Sequence, residues 1–382
     1  MASKKFSPAL AVIACILALV IGFLAGFAVY TYIKRPTGGD KIPSIVSGDL
    51  QIHFLELGNA NTGDCVYIKA GETDILIDAG SRTNSVETID TYLQEQMDGD
   101  RTLEYVIATH AHQDHIACFA GDGSNDSLFE LYECETIIDF PQTEATTQVY
   151  KRYVTQRDAE VEAGAEHYTA LECYNETGGA QRVYELSDGI TMEILYHEFY
   201  EEYPGDENNC SVCVLISQGD NHFLLTGDLE AEGEESLVKC NPDLPKVKLF
   251  KAGHHGSYTA SSDALLDVIQ PEIVCVCCCA GNVEYLNNAT DAEDLLHSFP
   301  AQEAIDRISK WTDRVYVTTL GTIEFDESKG KYVDTGFLSM NGNIVVSSSK
   351  NGIEVACSNN NTLLKDTEWF KENRTTPPAW LS

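Results

Sequence analysis

Thr109-His110-Ala111-His112-Gln113-Asp114-His115 places three histidines and one carboxylate within six residues. The apolar run Tyr105–Thr109 leads into this cluster and predicts a β-strand that ends at it. Imidazole and carboxylate together suit Zn²⁺, Mn²⁺ or Fe²⁺. A turn after a strand directs alternate residues to two sides. We therefore expect His110 and His112 to face one metal, and Asp114 and His115 to face a second.

Two later segments carry the same kinds of ligand. The apolar run Leu224–Thr226 is followed by Gly227 and Asp228, so the carboxylate emerges where a predicted strand ends. There Asp228 could bridge two metals. The segment Lys251–Ser257 reads Lys-Ala-Gly-His-His-Gly-Ser, which places two histidines between glycines that permit close backbone approach.

Strands and helices alternate in two successive blocks around these motifs, which predicts an α/β sandwich with helices on both outer faces. The predicted strands are Ile52–Leu55, Cys65–Ile68, Ile75–Asp78, Tyr105–Thr109, Met192–Tyr196, Val212–Ser217, Phe223–Thr226, Val247–Lys251, Ile273–Cys279 and Val315–Thr319. The predicted helices are Ser85–Met97, Ala231–Val238, Ala260–Ile269 and Ala301–Trp311.

The order of the motifs resembles that of the metallo-β-lactamase superfamily: Ile77-Asp78-Ala79-Gly80, His-x-His-x-Asp-His, Gly-Asp and then His-His-Gly-Ser. Lys251–Ser257 and Asn209-Cys210-Ser211 resemble its ComEC-like branch, which includes the hydrolase domain of a DNA-uptake protein. The resemblance covers about residues 50–325. It implies an αββα sandwich with two divalent metal ions in a cleft at one edge, Zn²⁺ or else Mn²⁺, and a metal-bridging hydroxide as nucleophile.

The resemblance also implies a role for each matching residue. His110 and His112 match the ligands of the first metal; Asp114, His115 and His254 match those of the second; and Asp228 matches the bridge. Asp78 and Lys251 would lie behind the ligands, and His255 would lie behind them or face the substrate. Asp114, His255 and His297 are the expected catalytic residues, His297 because it resembles a later His-Pro segment of the family.

One ligand of the family pattern is absent. Many members carry another histidine about 20 residues before the bridging aspartate, where this chain has Asp206-Glu207-Asn208-Asn209. Glu207 could replace that histidine, water could fill the position, or His197 could serve. The first metal would then bind weakly or be a harder ion such as Mn²⁺. No pattern supports a phosphate loop or a nucleotide cofactor.

Charge limits the substrate classes. The formal net charge is −35, and the first 35 residues contain four basic and no acidic residues. Such a surface disfavours broad, non-specific nucleic-acid binding. We expect a metal-dependent hydrolase of phosphodiesters, nuclease-like, acting through its metals and Lys251. The alternatives are hydrolysis of a small or cell-wall-linked ester such as a phosphocholine ester, and a non-catalytic metal-bound scaffold that uses residues 121–188 for protein partners. A β-lactamase fits the motifs less well.

The chain divides into four predicted parts. Residues 1–35 form a membrane anchor or cleaved signal peptide, 36–47 a linker, 48–330 the hydrolase domain with an insertion near 121–188, and 331–382 a C-terminal extension. The 19 residues Leu10–Ala28 are uncharged and as a helix would span about 28 Å, close to the hydrocarbon core of a bilayer. This predicts a single-pass cell-membrane protein with its catalytic domain outside the cytoplasm.

Cysteine usage indicates thiols rather than disulfides. The chain has 13 cysteines, an odd number, and several lie in the apolar run Ile273–Ala280. Neighbours on one strand point to opposite faces and pair poorly. We expect these cysteines, and Cys210 and Cys213 in a second predicted strand, to be buried thiols.

The anchor is directly testable. Full-length protein should stay in the membrane fraction through a high-salt or carbonate wash, because the apolar run is long enough to span a bilayer. Fractionation with N-terminal sequencing measures this. Mature soluble protein that starts near Val29 would show a cleaved signal peptide instead.

Overall fold

Two mixed β-sheets of eight strands each organise the chain. The structure is a computed structural model that describes residues 49–97, 99–286 and 288–381. The strands are β1 (Leu50–Phe54), β2 (Val66–Ala70), β3 (Thr73–Ile77), β4 (Thr102–Ile107), β5 (Glu133–Asp139), β6 (Glu166–Thr169), β7 (Val183–Ser187), β8 (Ile190–Leu195), β9 (Cys213–Gln218), β10 (Asn221–Leu225), β11 (Leu249–Lys251), β12 (Ile273–Ala280), β13 (Val315–Asp326), β14 (Lys331–Ser339), β15 (Ile344–Ser349) and β16 (Gly352–Cys357). The helices are α1 (Val86–Gln96), α2 (Gln113–Ala120), α3 (Leu128–Leu131), α4 (Gln148–Ala163), α5 (Ala170–Asn175), α6 (Ala231–Cys240), α7 (Asp263–Ile269), α8 (Gln302–Ile308) and α9 (Glu368–Asn373).

The first sheet has the order β16-β15-β1-β2-β3-β4-β5-β6, and the second has the order β14-β13-β12-β11-β10-β9-β8-β7. Parallel pairing runs from β3 through β6 in the first sheet and from β10 through β13 in the second. The remaining neighbours pair antiparallel. Parallel strands need helical crossovers, which explains why strands and helices alternate in the sequence.

Side chains on the two faces of the second sheet enter two different apolar cores. On β12, Cys275 and Cys277 join a core that contains residues of both sheets, α1 and α2. Their neighbours Val274 and Val276 point the other way, into a core with α6, α7, α8 and α9. Helices therefore cover the outer faces and the two sheets pack together, which confirms the predicted αββα sandwich.

The described cysteines are free thiols, and those of β12 are buried on alternate faces, as the strand pattern predicted. Cys210 and Cys213 are also buried and free. Among the residues that the structure describes, no helix is long and apolar enough to cross a membrane. The predicted anchor (1–35) and linker (36–47) lie outside those residues.

The segments predicted as an insertion and an extension are parts of the two sheets. Residues 121–188 supply β5 and β6 to the first sheet and β7 to the second. Residues 331–382 supply β14 to the second sheet, and they supply β15 and β16 to the first, where β15 pairs with β1. The boundary at residue 330 falls within the β13–β14 hairpin. Sequence periodicity did not identify β14, because this strand is largely exposed or half-buried and carries no apolar run.

A shortened chain tests the role of the C-terminal strands. A protein that ends at residue 330 loses Ile344, Val345 and Val346, all buried. Each buried aliphatic side chain contributes about 1.5–3 kcal/mol, against a total stability of about 5–15 kcal/mol, so the shortened protein should not fold cooperatively. Circular dichroism during heating measures this. Deletion of residues 381–382 is the control, because Leu381 is 74% exposed. A normal unfolding transition in the 330-residue protein would contradict the expectation.

Candidate metal centre

The parallel strands bring the predicted ligand segments to one edge of the sandwich. Asp78 follows β3, the histidine cluster follows β4, Asp228 follows β10, and His254 and His255 follow β11. Because β3 and β4 are parallel, as are β10 and β11, their carboxyl ends meet at the same edge of each sheet.

Two glycines allow the segments to approach closely. A Cβ atom on Gly80 would lie 1.5 Å from the carbonyl oxygen of Asp114, so only glycine fits there. Gly227 has a φ of +54°, and a Cβ atom on it would lie 2.9 Å from side-chain atoms of Thr109 and Ser211. Because the backbone at both glycines lies so close to these atoms, the loops that follow β3, β4 and β10 can pack directly against one another.

Four buried side chains converge at this edge. Nε2 of His115 and Nε2 of His255 each lie 3.1 Å from Oδ2 of Asp228. Nε2 of His255 is also 3.3 Å from Oδ2 of Asp114. Two atoms bound to one zinc-sized ion at 2.0–2.1 Å lie at most about 4.2 Å apart, so all three separations fit a shared ion.

The opposite nitrogens of both imidazoles are already engaged. Nδ1 of His115 donates to Oδ2 of Asp78 at 2.7 Å, and Asp78 also accepts from the backbone and hydroxyl of Thr109. Nδ1 of His255 donates to the carbonyl of Cys277 at 2.9 Å. Oδ1 of Asp64 lies 3.1 Å from the same nitrogen. Both Nε2 lone pairs are thereby directed at Asp228.

The converging atoms form no hydrogen bonds among themselves. Nε2 of His115, Nε2 of His255 and Oδ1 of Asp228 are buried without a hydrogen-bond partner. Imidazole lone pairs that face buried carboxylates need a cation between them. His115, His255 and Asp228, with Asp64, make up a group whose ligand atoms lie within 4.8 Å of one another. Since Asp64 contacts the rear nitrogen of His255, it orients a ligand rather than facing the ion.

The local charges favour a bound cation. Burial lowers the pKa of His115 and of His255, but the nearby carboxylates outweigh burial, and the pKa of each imidazole lies well above its usual value. Burial acts against ionisation of Asp228, yet His115 and His255 hold the pKa of Asp228 well below its ordinary range. Asp228 is therefore a carboxylate, and a metal ion would replace the protons on the two imidazoles.

A buried lysine lies beneath these groups. Nζ of Lys251 is 2.6 Å from Oδ2 of Asp64 and donates to the carbonyl of Gly227 at 3.0 Å. Burial lowers the pKa of Lys251, but Asp64 and Asp228 more than offset this and raise it. The ammonium is 2% exposed and compensates buried negative charge. It does not reach the surface and lies behind the converging groups.

A second pair of nitrogens converges beside the first group. Nε2 of His110 lies 3.1 Å from Nδ1 of His112, which again fits two ligands of one ion. Nδ1 of His110 faces the hydroxyls of Thr109 at 3.1 Å and Ser211 at 3.4 Å. Burial keeps the pKa of His110 well below its usual value, so this imidazole is neutral and able to bind a metal.

Comparisons with known proteins agree with this geometry. The Metallo-beta-lactamase superfamily model matches residues 58–121 and 158–280. The chain belongs to the metallo-β-lactamase superfamily. It is 27% identical over 178 residues to ComE operon protein 3 of Bacillus subtilis (strain 168), covering 46% of this chain and 20% of that protein. It is 36% identical over 228 residues to Recombination protein 2 of Haemophilus influenzae, covering 59% of this chain and 24% of that protein.

This chain therefore spans a quarter or less of the length of these relatives. Among solved structures, the metallo-β-lactamase fold protein YhfI of Bacillus subtilis matches with a TM-score of 0.38 and 12% identity, over 70% of this chain and 95% of that chain. The superfamily and the ComEC-like branch expected from the motifs are confirmed.

Within this superfamily site, the structure exchanges the expected positions of two adjacent histidines. His255 faces Asp114 and Asp228, where the motif resemblance had placed His254. Nε2 of His254 lies 3.9 Å from Oδ2 of Asp228, and its Nδ1 contacts Glu230 at 3.1 Å. The two imidazoles diverge because both residues adopt a positive φ, 46° for His254 and 53° for His255. No sequence pattern predicted these backbone conformations.

Three other candidates lie away from the converging atoms. Glu207 accepts from the backbone nitrogen of Glu144 at 2.8 Å. His197 is buried and donates through Nε2 to the carbonyl of Ser211 at 2.9 Å. Nδ1 of His297 contacts Glu303 at 3.3 Å, and the His297 side chain is 48% exposed. The structure therefore brings neither Glu207 nor His197 to the metal centre, and His297 lines a cavity beside Tyr285.

Sequence reasoning missed Asp64 and Tyr285. Asp64 stands just before the predicted strand Cys65–Ile68, and it is buried beside His255 and Lys251. A signal existed, since Gly63-Asp64 next to a strand mirrors Gly227-Asp228. Tyr285 donates its hydroxyl to Oδ2 of Asp114 at 2.6 Å and stacks on Phe299 at 5.3 Å. It comes from an irregular loop after β12 that carries no motif.

Asp64 gives a sharp test of this arrangement. Asp64→Asn keeps the shape but removes the charge beside Nδ1 of His255, and loss of such a partner weakens metal binding by about 10–100-fold. Zn²⁺ affinity measured by competition with a chelating dye should show this weakening. The control is Asp139→Asn, because Asp139 is also buried but pairs with Arg157 at 2.8 Å, away from the site. Unchanged affinity in Asp64→Asn would refute the role of Asp64.

Proposed function

We propose that this chain is a dinuclear metal-dependent hydrolase of phosphodiesters. One observation carries the proposal. Nε2 of His115 and Nε2 of His255 are buried without a hydrogen-bond partner, and both lie 3.1 Å from Oδ2 of Asp228. The adjacent pair His110 and His112 would hold the other ion. When bound, two divalent ions would activate water and polarise the phosphoryl group. The donor set suits Zn²⁺, with Mn²⁺ as the alternative.

The chain's own residues support this chemistry in specific ways. Asp114 and Asp228 would neutralise part of the metal charge, and Asp78 fixes the ring of His115 from behind. The hydroxyl of Tyr285 holds Asp114, while its ring is 43% exposed. The nearby thiol of Cys277 is buried, and burial raises its pKa, so it stays protonated and is no nucleophile. Water is the nucleophile that this site favours.

Similarity to competence proteins favours a nucleic-acid substrate. ComE operon protein 3 and a Competence protein ComA of Neisseria gonorrhoeae are among the relatives. The net charge of −35 restricts how such a substrate could bind. A long basic groove is not compatible with this charge, so a strand would be held at the metals over few nucleotides.

A second candidate substrate has support from the cleft itself. Beside Tyr285 lies a cavity of about 500 Å³ whose lining residues include Tyr258, Leu286, Asn288, Asp294 and His297. This lining combines exposed aromatic rings with a carboxylate, and none of its described residues is a lysine or an arginine. Aromatic faces and negative charge attract a quaternary ammonium group. A phosphocholine-type ester is therefore the alternative to a nucleic acid.

We also propose that the protein acts at the cell membrane, with its catalytic domain outside the cytoplasm. The 19 uncharged residues Leu10–Ala28 support the anchor. A membrane anchor would keep the acidic hydrolase domain close to substrates that arrive at or belong to the cell envelope.

Hydrolysis of three substrates tests the proposal. Purified full-length protein supplied with Zn²⁺ or Mn²⁺ should cleave a chromogenic phosphodiester. Loss of a partner behind a metal ligand reduces activity by up to about 100-fold. Asp228 and Asp114 would face the ions themselves, so Asp228→Asn and Asp114→Asn should each reduce turnover by more than about 100-fold. Single-stranded DNA and p-nitrophenylphosphorylcholine distinguish the two substrate classes.

Glu207→Gln is the control for this experiment, since Glu207 bonds to the backbone of Glu144 and should not affect turnover. A wild-type protein that binds metal but cleaves none of the three substrates would favour the non-catalytic scaffold. Near-normal turnover in Asp228→Asn would refute catalysis by the metal centre.

A further inference from the structure

The ion held by His110 and His112 needs another ligand, and the chain lacks the histidine that many members of the superfamily place before the bridging aspartate. Glu207 is bonded to Glu144, and His197 is bonded to the carbonyl of Ser211. A metal site with histidine ligands uses three or four protein ligands. If Asp228 bridges, then His110, His112 and Asp228 supply three ligands, and one further side chain would complete a four-ligand site.

The backbone of His254 and His255 directs their side chains apart. His254 and His255 both adopt left-handed conformations, with φ of 46° and 53°. Their rings therefore diverge, with centroids 6.0 Å apart and planes at 63°. Both present Nε2 to the same carboxylate oxygen of Asp228, His255 at 3.1 Å and His254 at 3.9 Å. The second distance is also below the limit of about 4.2 Å for two ligands of one ion.

The other side of the His254 ring is held in the way that metal-binding imidazoles are held. Nδ1 lies 3.1 Å from Oε1 of Glu230 and 3.1 Å from Oγ1 of Thr259. Thr259 in turn donates to Oε1 of Glu230 at 2.9 Å. A carboxylate on Nδ1 fixes the tautomer that leaves Nε2 free to bind a metal.

His254 also shares surroundings with His112. Burial raises the pKa of Asp206, and the imidazoles of His112 and His254 both act to lower it, so Asp206 lies within electrostatic range of both. His254 is 16% exposed, so it borders the open side of the site, whereas His255 is fully buried. The two adjacent histidines thus present Nε2 to one oxygen of Asp228 from differently exposed positions.

We infer that His254 is the third protein nitrogen of the metal ion held by His110 and His112, and that the adjacent His255 serves the ion held by Asp114 and His115. The inference rests on the proposed dinuclear function. It assigns the two histidines of one dipeptide to two different ions. Glu230 is the positioning residue for His254, as Asp64 is for His255.

Metal binding without any substrate tests the inference. Full-length protein stripped of metal is titrated with Co²⁺, and both the bound ions per chain and the visible absorption are recorded. Wild type should bind two ions. His254→Ala and His255→Ala should each bind one, with different absorption spectra, because the retained ion differs. Glu230→Gln should bind two but hold one of them about 10–100-fold more weakly.

His222→Ala is the matched control, because His222 contacts Ser217 at 2.8 Å on the β9–β10 hairpin, and it should bind two ions as wild type does. Thermal unfolding of the metal-free proteins checks folding, and Glu230→Gln keeps the test valid if His254→Ala does not fold. Retention of both ions at normal affinity in His254→Ala, or loss of both together, would overturn the inference. The inference would also be overturned if Asp206→Asn lost one ion while His254→Ala lost none. A wild-type chain that binds no Co²⁺ would instead refute the proposed metal function itself.

Discussion

The carboxylate of Asp228 is buried against two imidazole nitrogens, and the rest of the site follows from that contact. Because the Nδ1 hydrogens of His115 and His255 are committed to Asp78 and to the Cys277 carbonyl, each neutral imidazole presents a lone pair, and no hydrogen, from Nε2. A desolvated carboxylate is costly unless positive charge lies beside it. The fold therefore creates a position where a cation is favourable, and it does so at the edge where loops from both sheets meet.

Lys251 shows how the fold tolerates so much buried charge. Its ammonium, at the end of β11, lies between Asp64 and the loop that carries Asp228. Removing one partner of such a buried pair leaves an uncompensated charge and costs about 3–5 kcal/mol. The lysine is thus part of the structure beneath the metal centre. With this positive charge below, a metal ion bound above would keep the carboxylates ionised although they are buried.

The motifs predicted the sheet edge and most of the residues that converge there, because each of those residues follows an apolar strand whose period is visible in the sequence. They did not predict how the two residues of His254-His255 divide between positions, since that depends on two left-handed backbone conformations. Asp64 was missed for a related reason. It precedes β2 instead of following a strand, and it reaches the same edge because β2 runs antiparallel to β3. The C-terminal strands were missed because β15 pairs with β1, nearly 300 residues earlier in the chain, and local periodicity carries no information about that pairing.

The distribution of charge bears on which phosphodiester the site could accept. Acidic residues outnumber basic ones by 60 to 25, yet the site itself would carry two divalent ions. Attraction for a phosphate would therefore be confined to the immediate surroundings of the metals, since charges further away are screened within about 8–10 Å at physiological salt. A long polyanion would meet repulsion on either side of that zone, whereas a small diester would not. The aromatic, carboxylate-bearing cavity beside Tyr285 adds a preference for a neutral or cationic group next to the phosphate. Nucleic acid remains compatible with this arrangement as a single strand whose bases stack on the exposed tyrosines, because stacking does not depend on the charge of the surface.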